Sequence, residues 1–465
     1  MPTPFDAIII GTGQAGPSLA DRLSRAGMKV AVVERGLVGG TCVNTGCTPT
    51  KTMVASAYAA HLARRAADFG LALDGPVRVD MKRVKARKDA ISGASRRSVE
   101  QWLRTMPNCT LYQGSARFRS PQEVSVGTAT LLTAPRIFLN VGTRPRVPAM
   151  PGLDQVDYLT NSSLMNVDFL PPHLLIVGGS YVGLEFGQMF RRFGSEVTII
   201  EMGPRLLQRE DEDVSLAIQE IVEREGIHVR LNAECISAAR QGSQIAVGLT
   251  CQTGVPSAIG THLLLAVGRT PNTGDLGLDQ AGVAQDKHGY IVVDDQLRTN
   301  LPGIWALGDC NGKGAFTHTA YNDFEIIAAN LLDHEPRRVS DRIQAYALYI
   351  DPPLGRAGLT DAQVRATGKP ALMAKRPMTR VARAVEKGET QGFMKVVVDR
   401  DSKQILGVAL LGTGGDEAVH GVLDVMYAKA PYTLLQRAMH IHPTVSELIP
   451  TLLQDLKPLG GDPGA

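Results

Sequence analysis

Phe5-Asp-Ala-Ile-Ile-Ile-Gly11-Thr-Gly13-Gln-Ala-Gly16 is the stretch that decides the fold. An uninterrupted apolar run leads into glycines spaced G-x-G-x-x-G and then into a helical pattern that continues to about Ala26. Lys29 to Val33 reads as a second buried strand and ends on Glu34, a little over twenty positions after the first glycine. Strand, glycine turn, helix, strand and terminal acid in that order form the βαβ unit that cradles a dinucleotide. Gly11 makes the tight turn, Gly13 lets the backbone approach a pyrophosphate, and Gly16 allows close helix–strand packing. The pyrophosphate is expected at the helix N-terminus, where unpaired N–H groups and the dipole favour anions. Glu34 is placed to accept from ribose hydroxyls.

A second unit of the same kind begins at Leu174. Leu-Leu-Ile-Val-Gly178-Gly179-Ser180-Tyr181-Val182-Gly183 is followed by a helix to about Phe193 and a strand, Val197-Thr-Ile-Ile, that ends on Glu201. Ser180 stands at the second glycine position and is small enough to leave the pyrophosphate approach open. Two such units imply two dinucleotides. Glu201 suits ribose hydroxyls and repels a 2′-phosphate, so NAD(H) is favoured over NADP(H), with Arg205 and Arg209 close enough in sequence to soften the preference.

Between the units lies Gly39-Gly-Thr-Cys42-Val-Asn-Thr-Gly46-Cys47-Thr-Pro49-Thr-Lys51. On a regular helix a five-residue separation puts two Cα atoms about 8.6 Å apart, whereas a disulfide tolerates about 7 Å. The pair bridges only across an irregular turn. Pro49 lacks the N–H that would bond the carbonyl of Thr45, and Gly46 loosens the backbone between the cysteines. A bridge in such a turn is strained and easily reduced. Cys42 and Cys47 therefore read as a redox-active pair; two buried core cysteines is the plainer alternative.

The remaining chain divides around these motifs. Ile137-Phe-Leu-Asn-Val-Gly142-Thr-Arg-Pro145 and Leu263-Leu-Leu-Ala-Val-Gly268-Arg-Thr-Pro271 are apolar strands running into Gly/Pro turns, where the chain passes between domains. The strand from Ile304 to Leu307 ends on Gly308-Asp309, a carboxylate placed to bind a polyol hydroxyl of a cofactor or to serve as a plain turn residue. From about Gln344 the texture changes to alternating strands, including Phe393 to Val398 and Ile405 to Leu411. Two helical patterns follow, then His440-Ile-His442-Pro-Thr-Val-Ser-Glu447. The expected division is 1–150 and 267–340 for a first nucleotide-binding domain, 151–266 for a second, and 341–465 for a C-terminal α+β domain. The fold class is α/β, with two Rossmann-like domains and a third for dimerisation. The tail from Pro458 to Ala465 reads as disordered.

Length and composition bound the class. At 465 residues the chain needs more than one core. A net charge of +3 gives no reason to expect nucleic acid. The basic run from Lys82 to Arg104, with Val84, Ile91, Val99 and Trp102 at near-helical spacing, reads as a solvated helix face rather than a binding patch. No apolar stretch is long enough to span a membrane. The first strand starts by Phe5, which leaves no room for a signal peptide, so the expected compartment is the cytoplasm. Cys109, Cys235, Cys251 and Cys310 lack metal-ligand spacing and read as core or surface residues, so no metal site is expected.

Taken together and in order, these motifs resemble the flavoprotein disulfide reductases with two dinucleotide-binding domains, a family that includes glutathione reductase, dihydrolipoamide dehydrogenase and mercuric reductase. The resemblance runs from about Phe5 to Leu459. It implies FAD in the first unit, held by Gly11, Gly13, Gly16 and Glu34 and also by Gly40, Thr41, Lys51, Gly142 and Asp309. It implies a nicotinamide nucleotide in the second, against Gly178, Ser180, Tyr181, Gly183, Glu201 and Gly268. Cys47 matches the thiolate that lies against the flavin, and Cys42 the exposed interchange thiol that attacks substrate. Lys51 and Glu185 match an ion pair beside the flavin, and Tyr181 an aromatic lid over the nicotinamide pocket. His442 matches the acid–base residue and Glu447 the carboxylate that orients it, both supplied across a homodimer to the partner's site. Chemically this is coherent, because the thiolate is the nucleophile and a neighbouring imidazole must move its proton. His440 reads as a surface histidine.

The segment around Cys47, Ser180 and Asp351-Pro-Pro-Leu-Gly-Arg356 look most like proteins grouped with mercuric reductase. The chain nevertheless ends without the C-terminal cysteine pair of that enzyme and retains His442 and Glu447, which a disulfide substrate needs. The expected activity is NADH-linked reduction of a small disulfide or dithiol substrate through FAD and Cys42–Cys47. Dihydrolipoamide dehydrogenase and a mercuric reductase-like metal reductase are the enzymatic alternatives, and a flavin/dithiol redox sensor is the non-enzymatic one.

Overall fold

Two five-stranded parallel sheets and one six-stranded antiparallel sheet carry the chain, and the computed structural model describes residues 1–251 and 256–460. The first sheet runs in the order Ile304–Ala306, Ile137–Leu139, Ala7–Ile10, Val30–Glu34, Cys109–Gln113. Its central strands are apolar from end to end because both faces are covered, as parallel sheets require. Ile8, Ile9, Val30 and Val32 are all fully buried, and burying each such side chain stabilises by roughly 1.5–3 kcal/mol. The edge strand Ile304–Ala306 joins only after the chain has passed through the second unit.

The second sheet repeats the plan in the order Tyr158–Leu159, His262–Leu265, His173–Val177, Glu196–Ile200, His228–Arg230. In both sheets the glycine turn follows the third strand in that order and opens a helix, Ala15–Arg25 in the first and Tyr181–Phe193 in the second. The two Gly/Pro turns singled out in the sequence meet. Thr143–Pro145 and Arg269–Pro271 pair antiparallel, Thr270 opposite Arg144. The outgoing and returning chains are thereby zipped side by side.

The third sheet orders Ala345–Leu348, Leu354–Gly358, Ile405–Leu411, Phe393–Asp399, Ala371–Pro377 and Lys457–Pro458. The last strand corrects the expected disorder of the tail. Lys457 and Pro458 pair with Met373 and Leu372, and the Leu459 N–H donates to the Ala371 carbonyl at 2.8 Å. Pro458 is tolerated because it sits on the edge strand, where a missing donor costs no ladder bond. The rest of that tail, beyond Gly460, and the side chain of Cys251 lie outside the described residues.

The basic run forms one helix, Met81–Thr105, capped by Asp80, which accepts from the Arg83 N–H at 3.1 Å. Lys82, Arg83, Arg87, Arg97 and Arg104 are exposed, as a solvated face requires. Lys88 departs from that reading, being only 3 % exposed with its ammonium against Asp89. Cys109 and Cys235 are half-buried and Cys310 is buried. No described helix is long and apolar enough to cross a membrane.

Candidate active site

The helix that holds the cysteines is broken where the sequence loosens it. Gly40–Asn44 is one short helix and Cys47–Arg64 another, with Thr45 and Gly46 in non-helical conformations between them. A Cβ on Gly46 would stand 2.8 Å from the Thr41 carbonyl oxygen, so only glycine fits this close approach. Pro49 leaves the Thr45 carbonyl without a helical donor. Asn161 supplies one from the second unit, its Nδ2 donating at 2.9 Å.

The two thiols are free and share a hydrogen bond. Cys47 opens the longer helix, and its Sγ lies 3.0 Å from the Thr317 hydroxyl, which opens the helix Thr317–Ala328. Two helix N-termini thus converge on one sulfur, a setting that favours thiolate. Lys51 stands one turn along from Cys47. The hydrogen bond from Cys42, with those from Thr317 and the charge of Lys51, pulls Cys47 down to about 6. The same bond, burial and the Cys47 charge push Cys42 far up, so the pair holds one proton on Cys42. Cys47 is exposed and Cys42 is half-buried.

Lys51 and Glu185 form the expected ion pair at 2.7 Å, Glu185 being 7 % exposed. Glu185 also accepts the Tyr349 N–H at 3.0 Å, and the Lys51 ammonium lies 4.6 Å from the centre of the Tyr349 ring. Three parts of the chain therefore meet at one carboxylate, with Lys51 from the first unit, Glu185 from the second and Tyr349 from the C-terminal sheet region.

The first glycine turn lines an open groove with Glu34, Gly40, Thr41 and Gly142. A Cβ on Gly11, at φ +105°, would fall 2.3 Å from the Asn140 carbonyl, and one on Gly16 would fall 2.3 Å from that of Gly11. Gly40 packs so closely that its Cβ would be 2.7 Å from the Gly13 Cα. Glu34 accepts from the Thr12 N–H and hydroxyl at 2.9 and 2.6 Å and from the Gly36 N–H at 2.8 Å. Asn140 donates to the carbonyls of Gly11 and Gly13. This bare-backbone cradle, ending on a carboxylate, fits a dinucleotide such as FAD. Asp309 is tied beside it, accepting from the Thr143 hydroxyl at 2.8 Å with Arg269 at 3.8 Å.

The second glycine turn is built alike. A Cβ on Gly178, at φ +113°, would fall 2.5 Å from the Ala266 carbonyl, and one on Gly183 would fall 1.9 Å from that of Gly178. Glu201 accepts from the N–H groups of Gly179 and Gly203 and from Gln208. Ser180 has extended backbone geometry open to any residue. Gly268, at φ +106°, accepts the Arg146 N–H beside the paired crossover. Arg205 is committed to the carbonyls of Gln208 and Glu210, and Arg209 is exposed. Tyr181 begins the helix and meets Phe316 and Tyr346 edge-on.

His442 and Glu447 are joined, Nδ1 to Oε2 at 2.9 Å, and the imidazole is 75 % exposed. His440 is half-buried rather than a surface residue, its Nδ1 2.7 Å from the Ser446 carbonyl oxygen. Thr317, Asn140, Asn161 and Tyr349 were not picked out from the sequence. Asn140 alone carried a signal, as the polar residue ending an apolar strand; the others act through tertiary contact.

Residues 5–323 match the family model for pyridine nucleotide-disulphide oxidoreductase and residues 344–453 that for its dimerisation domain. The chain is 34% identical over 461 residues to the Escherichia coli (strain K12) protein named "Probable pyridine nucleotide-disulfide oxidoreductase RclA", covering 97% of this chain and 99% of that one. It is 34% identical over 453 residues to mercuric reductase of Streptomyces lividans, covering 96% and 95%. With dihydrolipoyl dehydrogenase of Chlamydia muridarum (strain MoPn / Nigg) it shares 30% over 448 residues, covering 96% and 95%. The solved structure of the HOCl-induced flavoprotein disulfide reductase RclA from Escherichia coli superposes with a TM-score of 0.88 at 33% identity, over 97% of this chain and 99% of that one. The chain belongs to the pyridine nucleotide-disulphide oxidoreductase family, FAD-dependent enzymes that work with a pyridine nucleotide and act on sulfur groups.

Proposed function

We propose that this protein is an NADH-linked reductase of a small disulfide, with Cys42 and Cys47 as its redox-active pair. The observation that carries the reading is the Cys47 sulfur, exposed, hydrogen-bonded by Cys42 and Thr317, and one turn from Lys51. Bound FAD supplies the two-electron step between the dinucleotide and the thiol pair. Gly11, Gly13, Gly16, Glu34 and Asp309 would hold it. Lys51, fixed by Glu185, keeps positive charge one turn from Cys47. Reduction of the Cys42–Cys47 bridge with two electrons and one proton leaves Cys42 as thiol and Cys47 as thiolate.

Cys42 then gives its proton to His442 and attacks the substrate disulfide, releasing one thiolate that takes the proton back. Cys47 attacks Cys42, reforms the bridge and frees the second half of the substrate as a thiolate, which takes a proton from solvent. Glu447 fixes the imidazole by holding Nδ1. The 75 % exposure of His442 supports a base that faces a partner chain in a homodimer rather than its own cysteines. Glu201 favours NADH over NADPH, and Arg205 does not offset it, being engaged with backbone carbonyls. Free thiols and this chemistry suit the cytoplasm.

Anaerobic reduction with one equivalent of NADH tests the pair. A long-wavelength thiolate-to-flavin band is expected. It is full above about pH 6 and lost as the pH falls through that value and Cys47 gains its proton. Bleached flavin without such a band would remove Cys47 from the role. NADH oxidation against a panel of disulfides then identifies the substrate. A second reading, reduction of a soft metal ion, draws on the two adjacent free thiols, which are soft ligands. It also draws on relatives named mercuric reductase and a Cu(II) complex of RclA. Turnover with mercuric or cupric ion but with no disulfide would select it.

A further inference from the structure

Tyr181 is anchored from outside its own unit. Its ring stands edge-on to Phe316 at 5.9 Å and 87° and to Tyr346 at 5.5 Å and 85°, while Phe316 and Tyr346 stack on each other at 14°. Phe316 precedes Thr317, the residue that touches Cys47. Tyr346 belongs to the first strand of the C-terminal sheet. The Tyr346 hydroxyl donates to Glu210, so the ring that Tyr181 packs against is itself held in place.

Glu210 is a fixed anchor, 2 % exposed. Its neighbour Asp211 is held by Arg356 at 3.0 Å and by Lys395 at 2.9 Å, and Lys395 also binds Asp213 and Asp361 at 2.8 Å each. The Lys395 ammonium fills the centre of these three carboxylates. The second unit is thus pinned to the C-terminal domain by buried charge, and the Tyr346 ring beside Tyr181 is tied to that pin. One oxygen of Glu210 has no hydrogen-bond partner, so the Tyr346 hydroxyl is the bond that the carboxylate keeps.

We propose that Tyr346 and Glu210 are positioning residues for dinucleotide entry, forming a latch that holds Tyr181 closed until the nicotinamide ring displaces it. The inference rests on the reading of Tyr181 as the lid over the nicotinamide pocket. A closed lid lowers apparent affinity by the fraction of molecules that are open. Removing one hydroxyl from the latch removes one hydrogen bond, which raises the open fraction and tightens dinucleotide binding about twofold to tenfold.

Calorimetric titration of the FAD-loaded enzyme with NAD⁺, which binds without turnover, reads this directly alongside the KM for NADH. Tyr346→Phe is expected to lower both by that factor while the limiting rate of flavin reduction stays within twofold. Glu210→Gln weakens the same bond from its other end, so it tests the latch even where Tyr346→Phe fails to fold. The double variant should show no further gain, because both changes remove one interaction. Unchanged or weaker NAD⁺ binding in the folded single variants would overturn the latch. Tyr181→Ala separates the two readings. If it alters NAD⁺ binding while Tyr346→Phe and Glu210→Gln do not, the lid stands and the latch falls; if it alters nothing, the lid itself is wrong.

Discussion

The two dinucleotide units share every backbone device and differ in what leans on the glycine turn. Gly11 and Gly178 each pass a neighbouring strand-end carbonyl too closely for a Cβ, and Gly16 and Gly183 do the same to the first glycine. Glu34 and Glu201 each use a carboxylate to hold the N–H of the residue after that glycine. The strand end beside the turn is Asn140 in the first unit, whose amide ties down Gly11 and Gly13, and Ala266 in the second, which has no such group. Gly40, at the start of the cysteine helix, packs onto Gly13. The first turn is clamped from two sides, yet a Cβ on Gly13 would meet nothing nearer than the Asn140 Nδ2 at 3.4 Å, so the protein leaves room for a small side chain at the position that Ser180 fills in the second. The lesson is that the first and last fingerprint glycines report local crowding while the middle one does not, so Ser180 is not a failed motif. A clamped turn suits a resident cofactor, and an open one suits a dinucleotide that exchanges.

The largest effect should come from the point where the units hand over electrons. Cys47→Ser is expected to leave FAD content and NADH binding intact while disulfide turnover falls on the order of a thousandfold or more; flavin absorbance and steady-state rates decide it. Gly11→Ala and Gly178→Ala sharpen the comparison next. Each forces a strained turn, costing roughly 1–3 kcal/mol. Gly11→Ala should yield protein depleted of FAD, whereas Gly178→Ala should remain yellow and lose NADH affinity. Loss of FAD in both would mean that the units do not fold independently.

Glu201→Gln removes the charge that disfavours a 2′-phosphate. The ratio of kcat/KM for NADH over NADPH should fall about tenfold, the weight of one charged hydrogen bond. An unchanged ratio would assign the preference elsewhere. The smallest effect is the most direct test of the crowding argument. Ser180→Gly should change the KM for NADH by less than about threefold, since its backbone is extended and no strain is relieved. Gly13→Ser, whose Cβ would be in ordinary contact with Asn140 at 3.4 Å, should loosen FAD by standing in the pyrophosphate's approach; equal tolerance at both sites would break the comparison.

Both nucleotide units, the cysteine pair and the turn to a strand-rich C-terminal region were legible in the sequence, because each rests on local spacing. Periodicity marks a buried strand, a glycine marks a turn that excludes Cβ, and an acid at a strand end marks a polar boundary. Gly46 between the cysteines and Pro49 just after them announced the helix break. What only the tertiary structure decided lies between segments distant in sequence. The sequence does not say that Thr317 reaches Cys47, that Asn161 answers the carbonyl freed by Pro49, or that the two Gly/Pro crossovers pair. It misplaced exposure at Lys88 and His440 and order at Pro458, because both depend on which surfaces other segments cover. Motifs are short-range and survive in one dimension, whereas accessibility and hydrogen-bond partners are set by where the chain returns.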